Sequence, residues 1–113
     1  MEVIPVVSAS STNSTFVTLG PLVVRGYYAT NKNFTEPRFI HLFDRTGVAS
    51  PTSMDGIQWT ITLPTESGAN VSWENGLIFP DGIAFSFSTQ PDASVAVASQ
   101  EIVFNLIYAF VSV

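Results

Sequence analysis

The sequence contains no cysteine. This absence excludes a disulfide-linked scaffold, a metal site built on thiolates and a thiol nucleophile. The length of 113 residues supports one domain with one core, and a hydrophobic content of 46% is enough to form that core. We therefore predict a single globular domain.

Charged residues are also scarce, and those of positive sign most of all. Charged residues make up 12% of the chain and give a formal net charge of -5, whereas an ordinary soluble domain carries about 25%. The cations are Arg25, Lys32, Arg38 and Arg45. Because so few cations cannot neutralise a phosphate backbone, we do not expect nucleic acid as a partner.

A long apolar segment is missing as well. The most apolar stretch, residues 102–113, is shorter than the roughly 20 residues of a membrane-spanning helix, and Asn105 interrupts it. Residues 1–5 (MEVIP) have neither the positive charge nor the apolar core of a signal peptide. We therefore expect no membrane partner and synthesis in the cytoplasm without export.

Few residues could carry chemistry. His41 is the one histidine, and it lies inside an apolar strand pattern, where a packed, hydrogen-bonded histidine is more typical than a catalytic one. One histidine without cysteine leaves no ligand set for zinc. The serines form no Gly-x-Ser-x-Gly motif, and the acids form no Asp-x-Asp-x-Asp-Gly calcium loop. We therefore expect neither an enzyme nor a cofactor.

Alternation of apolar and polar residues predicts strands at 57–63 and 83–88, with a shorter one at 71–73. In the first strand, Trp59 shares its side with Ile57 and Ile61, so we predict that it lies in the core. In the second strand, the side that carries Ser86 and Ser88 is predicted to face solvent. Aromatic and β-branched residues predict further strands at 23–28 and 38–43.

Glycine dipeptides that tolerate positive φ separate the apolar runs, namely Asp55-Gly56, Ser67-Gly68, Asn75-Gly76 and Asp81-Gly82. Their spacing is typical of a sandwich, and no window keeps a helical period. The predicted fold is all-β, a single β-sandwich of about eight strands, with a jelly roll as the favoured topology and an immunoglobulin-like arrangement second. Residues 1–14 are predicted to form an N-terminal arm or a first edge strand, and residues 15–113 the sandwich.

The segment 102–113 is apolar on both sides of a predicted strand. One side carries Ile102, Phe104, Leu106, Tyr108 and Phe110, and the other Val103, Ile107, Ala109, Val111 and Val113. A small sandwich buries only one face of a sheet against its core, so a loop, the N-terminal arm or another subunit must cover the second face. Self-association is the interpretation that we favour.

The charges are segregated along the chain, because all four cations lie within residues 25–45 and residues 46–113 contain none. Such segregation can steer docking to a partner or to another copy. The candidate interface residues come from three places: the second side of segment 102–113, the cations, and the N-terminal arm. They are Val103, Ile107, Val111 and Val113, then Arg25, Arg38 and Arg45, then Val3 and Ile4.

Several short motifs occur in a recognisable order. They are YYATN at 27–31, LFDR at 42–45, LP at 63–64, NGLIFPDGIAF at 75–85, and VAVA at 95–98 leading into EIV at 101–103. In this order and spacing they resemble a set of small all-β proteins from tailed bacteriophages. The segment 89–94 departs from that pattern, since it replaces an Asp-rich loop, so no metal role is carried over.

The resemblance implies a virion structural protein on the outer capsid surface. Similar small jelly-roll proteins are cement or decoration subunits, often homotrimers, that bind the major capsid protein. Two alternatives remain open from the sequence. One is a structural component of the phage tail, neck or fibre. The other is a carbohydrate-binding module whose aromatic platform would use Trp59, Trp73, Tyr27 and Tyr28.

Overall fold

The computed structural model describes the backbone of residues 6–10 and, with their side chains, residues 14–47, 54–93, 95, 97 and 101–111. These residues form eight strands and no helix. The strands are β1 (Val6–Ser10), β2 (Ser14–Leu19), β3 (Leu22–Asn31), β4 (Arg38–Asp44), β5 (Ile57–Leu63), β6 (Gly68–Phe79), β7 (Gly82–Ser88) and β8 (Ile102–Phe110).

The strands form two four-stranded antiparallel sheets. The order of the first sheet is β1-β8-β3-β6, and that of the second is β2-β7-β4-β5. The chain therefore pairs as nested antiparallel hairpins, in which β4 pairs with β5, β3 with β6, β2 with β7 and β1 with β8. Rolling such nested hairpins into two facing sheets gives a jelly roll, which confirms the favoured topology.

The core lies between the two sheets and is rich in phenylalanine. On β8 the predicted inward side is confirmed, because Ile102, Phe104 and Leu106 are fully buried. The ring of Phe104 packs against the rings of Phe85 and Phe87 on the opposite sheet, at centroid distances of 5.2 and 6.0 Å. Ring-edge contacts of this kind bind the two sheets at their centre.

A bulge interrupts the first sheet at Arg25. Between Val24 and Gly26 the register of β3 with β6 moves from Leu77 to Ser72, so the intervening residues of β6 loop away from the ladder. The prediction of a turn at Asn75-Gly76 is therefore wrong, since these residues lie inside β6. The expected backbone geometry is present nevertheless, because Gly76 has φ +77°. Bulges of this kind commonly need a glycine in the left-handed region.

Candidate interaction surface

The outer face of the second sheet is covered by the protein's own chain. On β4, Phe39, His41 and Phe43 point away from the core and are at most 8% exposed. On β7, Ser86 and Ser88 are fully buried, so the prediction that this side faces solvent is wrong. At Ser88 and His41 the reason is that Gln90, Ala93 and Val95, which follow β7, fold back over the sheet.

Hydrogen bonds fix that covering segment. The Ser88 hydroxyl donates to the carbonyl oxygen of Ala93 at 2.6 Å and accepts from the backbone N–H of Val95 at 3.0 Å. The N–H of Thr89 also donates to the carbonyl oxygen of Val95 at 3.0 Å. This side of the sandwich therefore offers little sheet surface to a partner.

His41 joins the same segment to the second sheet. Its Nε2 lies 3.1 Å from the carbonyl oxygens of both Gln90 and Ala93, and its Nδ1 lies 3.0 Å from Oγ1 of Thr60. Because both partners of Nε2 are acceptors, Nε2 carries the hydrogen, and Nδ1 accepts from the Thr60 hydroxyl. The predicted packed and hydrogen-bonded histidine is confirmed.

The outer face of the first sheet is different, because it displays apolar side chains to solvent. Tyr28 on β3 is 56% exposed, Ile78 on β6 is 61% exposed and Val103 on β8 is 37% exposed. Ile107 on β8 is half-buried on the same side. We call the outer surface of the first sheet, which carries these four side chains, the open face.

Strand register brings these side chains to one surface. Tyr28 lies opposite Asn105, Val103 opposite Thr30, and Ile78 opposite Val23. Directly opposed residues in an antiparallel ladder project to the same side. Apolar side chains from three strands therefore share the open face with the polar side chains of Asn105 and Thr30.

The bulge of β6 covers one part of this surface. A Cβ atom on Gly76 would overlap Cγ2 of Val23, so the bulged backbone lies directly against the Val23 side chain. Val23 is consequently only 8% exposed although it points outward. The bulge therefore separates Ile78, which lies opposite Val23, from the other three side chains of the open face.

The predicted interface residues are only partly brought together. Val103 and Ile107 lie on the open face, and Val111 follows β8 with 43% exposure. Between them Ala109 is fully buried, so the predicted apolar side of this segment is not continuous. Three further residues of that prediction, Val3, Ile4 and Val113, lie outside the described residues.

The segment 1–14 contains β1, which lies at the edge of the first sheet. Its five residues pair with β8 from Val6 opposite Ile107 to Ser10 opposite Val103. Strand β1 therefore extends the sheet sideways next to the open face. Residues 1–5 and 11–13 are outside the described part of the chain.

The three candidate arginines do not form one patch. Arg38 begins β4 and Arg45 follows the end of the same strand, so the length of the strand separates them. Arg25 lies half-buried at the bulge of β3, in the other sheet. Segregation of positive charge in the sequence therefore does not produce a single positive surface in the fold.

Arg38 is committed to a structural ion pair. Its Nε donates to Oε1 of Glu101 at 2.6 Å, and the Glu101 carboxylate also accepts from Nδ2 of Asn33 at 3.1 Å. The hydrogen bond from Arg38 lowers the pKa of Glu101 below its usual value. This pair links the start of β4 to the start of β8, and so connects the two sheets.

Asn31 forms a second polar connection at the same end of the sandwich. The side chain is fully buried. Its Nδ2 donates to the carbonyl oxygens of Glu36, Leu63 and Pro64 at 3.0, 3.2 and 3.1 Å, and its Oδ1 accepts from the N–H of Asn33 at 2.9 Å. Contacts of this kind with Leu63 and Pro64, far away in the sequence, leave no local signal.

The prediction that Trp59 lies in the core is wrong. Its indole is 43% exposed. Alternation placed Trp59 on the correct side of the strand, opposite the buried Leu42, but β5 is an edge strand of the second sheet. The inward side of an edge strand is open at the margin of a sandwich, so Trp59 reaches solvent. A register shift pairs Ile57 with the outward Phe43, so the prediction that Ile57 shares the side of Trp59 is not met.

Trp59 meets Trp73 of β6 at this margin. The two rings have a centroid distance of 5.8 Å and an interplanar angle of 82°. Trp73 also packs against Tyr27 at 5.6 Å. The rings therefore form a corner and not the flat platform that we expected for a carbohydrate-binding module.

The acidic residues show no metal centre in the part of the chain that is described. There, no three His, Asp or Glu side chains are close enough to hold a metal ion. Asp44, Arg45 and Asp55 line an open recess of about 370 Å³. The Oδ1 atom of Asp44 already accepts from the N–H groups of Asp81 and Gly82 at 3.0 and 3.3 Å, so it serves to close a turn.

Comparison with known proteins gave no relative: no protein-family model, no curated protein and no solved structure matches this chain. Among the described residues, no helix has the length and apolar character to cross a membrane.

Proposed function

We propose that this protein is a non-catalytic structural subunit that binds a larger assembly, and further copies of itself, through the open face. The bacteriophage-like motifs suggest what that assembly is. They favour a cement or decoration subunit on the outer surface of a phage head, as a homotrimer in contact with the major capsid protein.

The contrast between the two outer faces is the observation that carries this proposal. On the second sheet, Gln90 and Ala93 cover His41, which is fully buried. The first sheet has no such cover in the described residues, and Tyr28 and Ile78 remain more than half exposed. Exposed apolar side chains on one face of a sheet are typical of protein interaction surfaces.

The exposed side chains are sufficient to stabilise a contact. Full burial of a large apolar side chain contributes about 1.5–3 kcal/mol. Since Tyr28, Ile78 and Val103 are 56%, 61% and 37% exposed, covering them contributes roughly 1 kcal/mol each. Together with Ile107, this amounts to about 3–4 kcal/mol, or roughly a few hundredfold in an association constant.

The fold is compatible with the proposal but does not decide it. Jelly rolls occur in viral capsid proteins and also in lectins and cupins. Function must therefore be argued from a surface and not from the topology.

Charge substitution on the open face tests the proposal. We expect Tyr28→Asp and Ile78→Asp to abolish self-association in sedimentation velocity runs. We also expect both to abolish binding to particles of the encoding phage from which the protein has been removed. Phe34→Asp is the matched control, because Phe34 is 77% exposed but lies in the connection between β3 and β4 and not on a strand of the first sheet.

Two outcomes would overturn the proposal. One is a wild-type protein that sediments as a monomer at all concentrations and does not bind the particles. The other is loss of binding in Phe34→Asp that equals the loss in Tyr28→Asp. Circular dichroism spectra of each variant show whether the fold is retained. Labelled copies on intact particles, in the hundreds or in the tens, separate a head location from the tail, neck or fibre.

A further inference from the structure

The corner formed by Trp59 and Trp73 lies where the two sheets part. Trp59 belongs to β5, at the margin of the second sheet, and Trp73 belongs to β6, at the margin of the first. Gln58 bridges the same gap, because its Nε2 donates to the carbonyl oxygen of Ile78 at 3.1 Å. The corner thus joins two edge strands, and a hydrogen bond holds it in place.

The two indoles differ in how far they are exposed to solvent and in how firmly they are packed. Trp73 is half-buried and is fixed from behind by the ring of Tyr27, which is 7% exposed. Trp59 stands nearly perpendicular to Trp73 and is 43% exposed. One ring therefore offers a surface to solvent, and the other forms a rigid wall beside it.

Such a corner suits a pyranose ring. The C–H groups on one side of a sugar stack on an indole, and the hydroxyl groups at its rim need hydrogen-bond partners. Neither indole N–H donates to another described residue, so both donors are available. Rings with an apolar body and a polar tip commonly serve binding sites of mixed character.

The net charge of the protein favours a neutral sugar over an anionic one. The formal net charge is -5, so a sulfated or carboxylated glycan would be repelled. A neutral sugar meets no such repulsion.

We propose that the Trp59–Trp73 corner is a binding site for a neutral pyranose, at the end or on the side of an oligosaccharide. This site does not depend on the function proposed above. Trp73 packs against the core side of β6, whereas the open face lies on the opposite side of the same sheet. The protein can therefore hold a sugar while the open face is covered.

Tryptophan fluorescence tests this site directly, since Trp59 and Trp73 are the only tryptophans in the chain. The probes are oligosaccharides of glucose, galactose and N-acetylglucosamine, with dextran sulfate as the anionic comparison. We expect a saturable fluorescence change with at least one neutral oligosaccharide, and none with dextran sulfate. In ¹H–¹⁵N NMR spectra, both indole N–H signals should shift on binding.

Trp59→Ala should weaken binding about tenfold or more, and Trp59→Phe should retain part of it. Tyr28→Ala is the matched control, because it removes an exposed aromatic ring from the open face and should leave sugar binding unchanged. The NMR shifts of the wild-type protein decide the matter if the tryptophan variants do not fold.

The inference is overturned if no neutral sugar shifts either indole signal at concentrations up to about 10 mM, where even weak binding would be visible. It is also overturned if Tyr28→Ala reduces sugar binding as much as Trp59→Ala. Its failure is separate from that of the proposed function, because Trp59→Ala should not affect self-association.

Discussion

Asn31→Asp tests how much one buried amide contributes to the stability of the sandwich. The substitution keeps the size of the side chain but replaces its NH₂ group with oxygen. That oxygen would lie about 3 Å from three carbonyl oxygens, to which Nδ2 of Asn31 donates at 3.0, 3.2 and 3.1 Å. An attractive arrangement becomes a repulsive one at a position that is fully buried.

The size of the effect follows from these contacts. Two lost N–H donors cost about 1–1.5 kcal/mol each, and a buried charge without a partner adds further cost. We expect Asn31→Asp to lower the free energy of unfolding by about 3–5 kcal/mol at neutral pH. A domain of this kind has about 5–15 kcal/mol in all, so the variant should be marginal but still folded.

The effect should depend on pH. Burial and the facing carbonyl groups raise the pKa of the new carboxyl above its value in the unfolded chain. A protonated carboxyl keeps one donor, so the variant loses least stability below the unfolded pKa and most above the folded pKa. The difference from wild type should therefore shrink as the pH falls. The effect of Glu101 is common to both proteins and cancels in that difference.

Urea unfolding followed by circular dichroism, from neutral pH down to about pH 4, measures these free energies. Asn70→Asp makes the same chemical change on an exposed position of β6, and it should cost less than about 0.5 kcal/mol. Equal losses in the two variants would refute the reasoning. So would a loss in Asn31→Asp that stays constant with pH.

Three further predictions concern the same scaffold. Arg38 lowers the pKa of Glu101, so the ion pair stabilises the fold above the ordinary pKa of a glutamate and loses its effect as the pH falls through the folded value. Glu101→Gln should lower the free energy of unfolding by about 1 kcal/mol and remove most of the acid sensitivity that this ion pair causes. Urea titrations across pH measure both effects. Gly26→Ala should cost about 2–3 kcal/mol, because its Cβ would overlap the carbonyl oxygen of Val71, whereas Gly47→Ala, with no atom within 4 Å of its Cβ, should be nearly neutral in thermal unfolding. His41→Phe should lower the free energy of unfolding by about 2–3 kcal/mol and speed hydrogen exchange around Val95, because it leaves two carbonyl oxygens and the Thr60 hydroxyl without a partner. Thr60→Val removes only one of these hydrogen bonds and should cost less. A loss in Thr60→Val as large as that in His41→Phe would contradict the hydrogen bonds assigned to His41.

Local pattern was sufficient for the fold class and for the side on which most residues lie. The alternation of β8 correctly placed Phe104 and Leu106 toward the core, and the order of strands and glycine dipeptides indicated the jelly roll. Period-two alternation depends only on the pleat of one strand, so it shows the side on which a residue lies without knowledge of what the strand packs against.

Pattern failed where burial depends on distant segments. Trp59 was assigned to the correct side of β5, but the sequence does not show that β5 is an edge strand. Ser86 and Ser88 look like solvent-facing residues until the segment after β7 is seen to cover them. In each case the missing information is which part of the chain lies next to the strand.

The candidate surfaces were predictable to a similar degree. The apolar second side of β8 indicated Val103 and Ile107, but the contributions of Tyr28 and Ile78 arise from cross-strand register. Arg38 was expected at an interface because of the grouping of cations in the sequence. Its ion pair with Glu101, far away in the sequence, is a structural contact that the grouping of cations did not indicate.

The nested pairing of the strands has a consequence for how the protein is made. Only β4 and β5 are consecutive strands that pair, across residues 45–56, whereas β2 must wait for β7 and β1 must wait for β8. A ribosome therefore releases most of the first half of this polypeptide before its partners exist. Folding dominated by such distant contacts is slow, and the unpaired intermediates are prone to aggregate. The yield of native protein in a cell should consequently depend on chaperones that hold the nascent strands apart until β8 is synthesised.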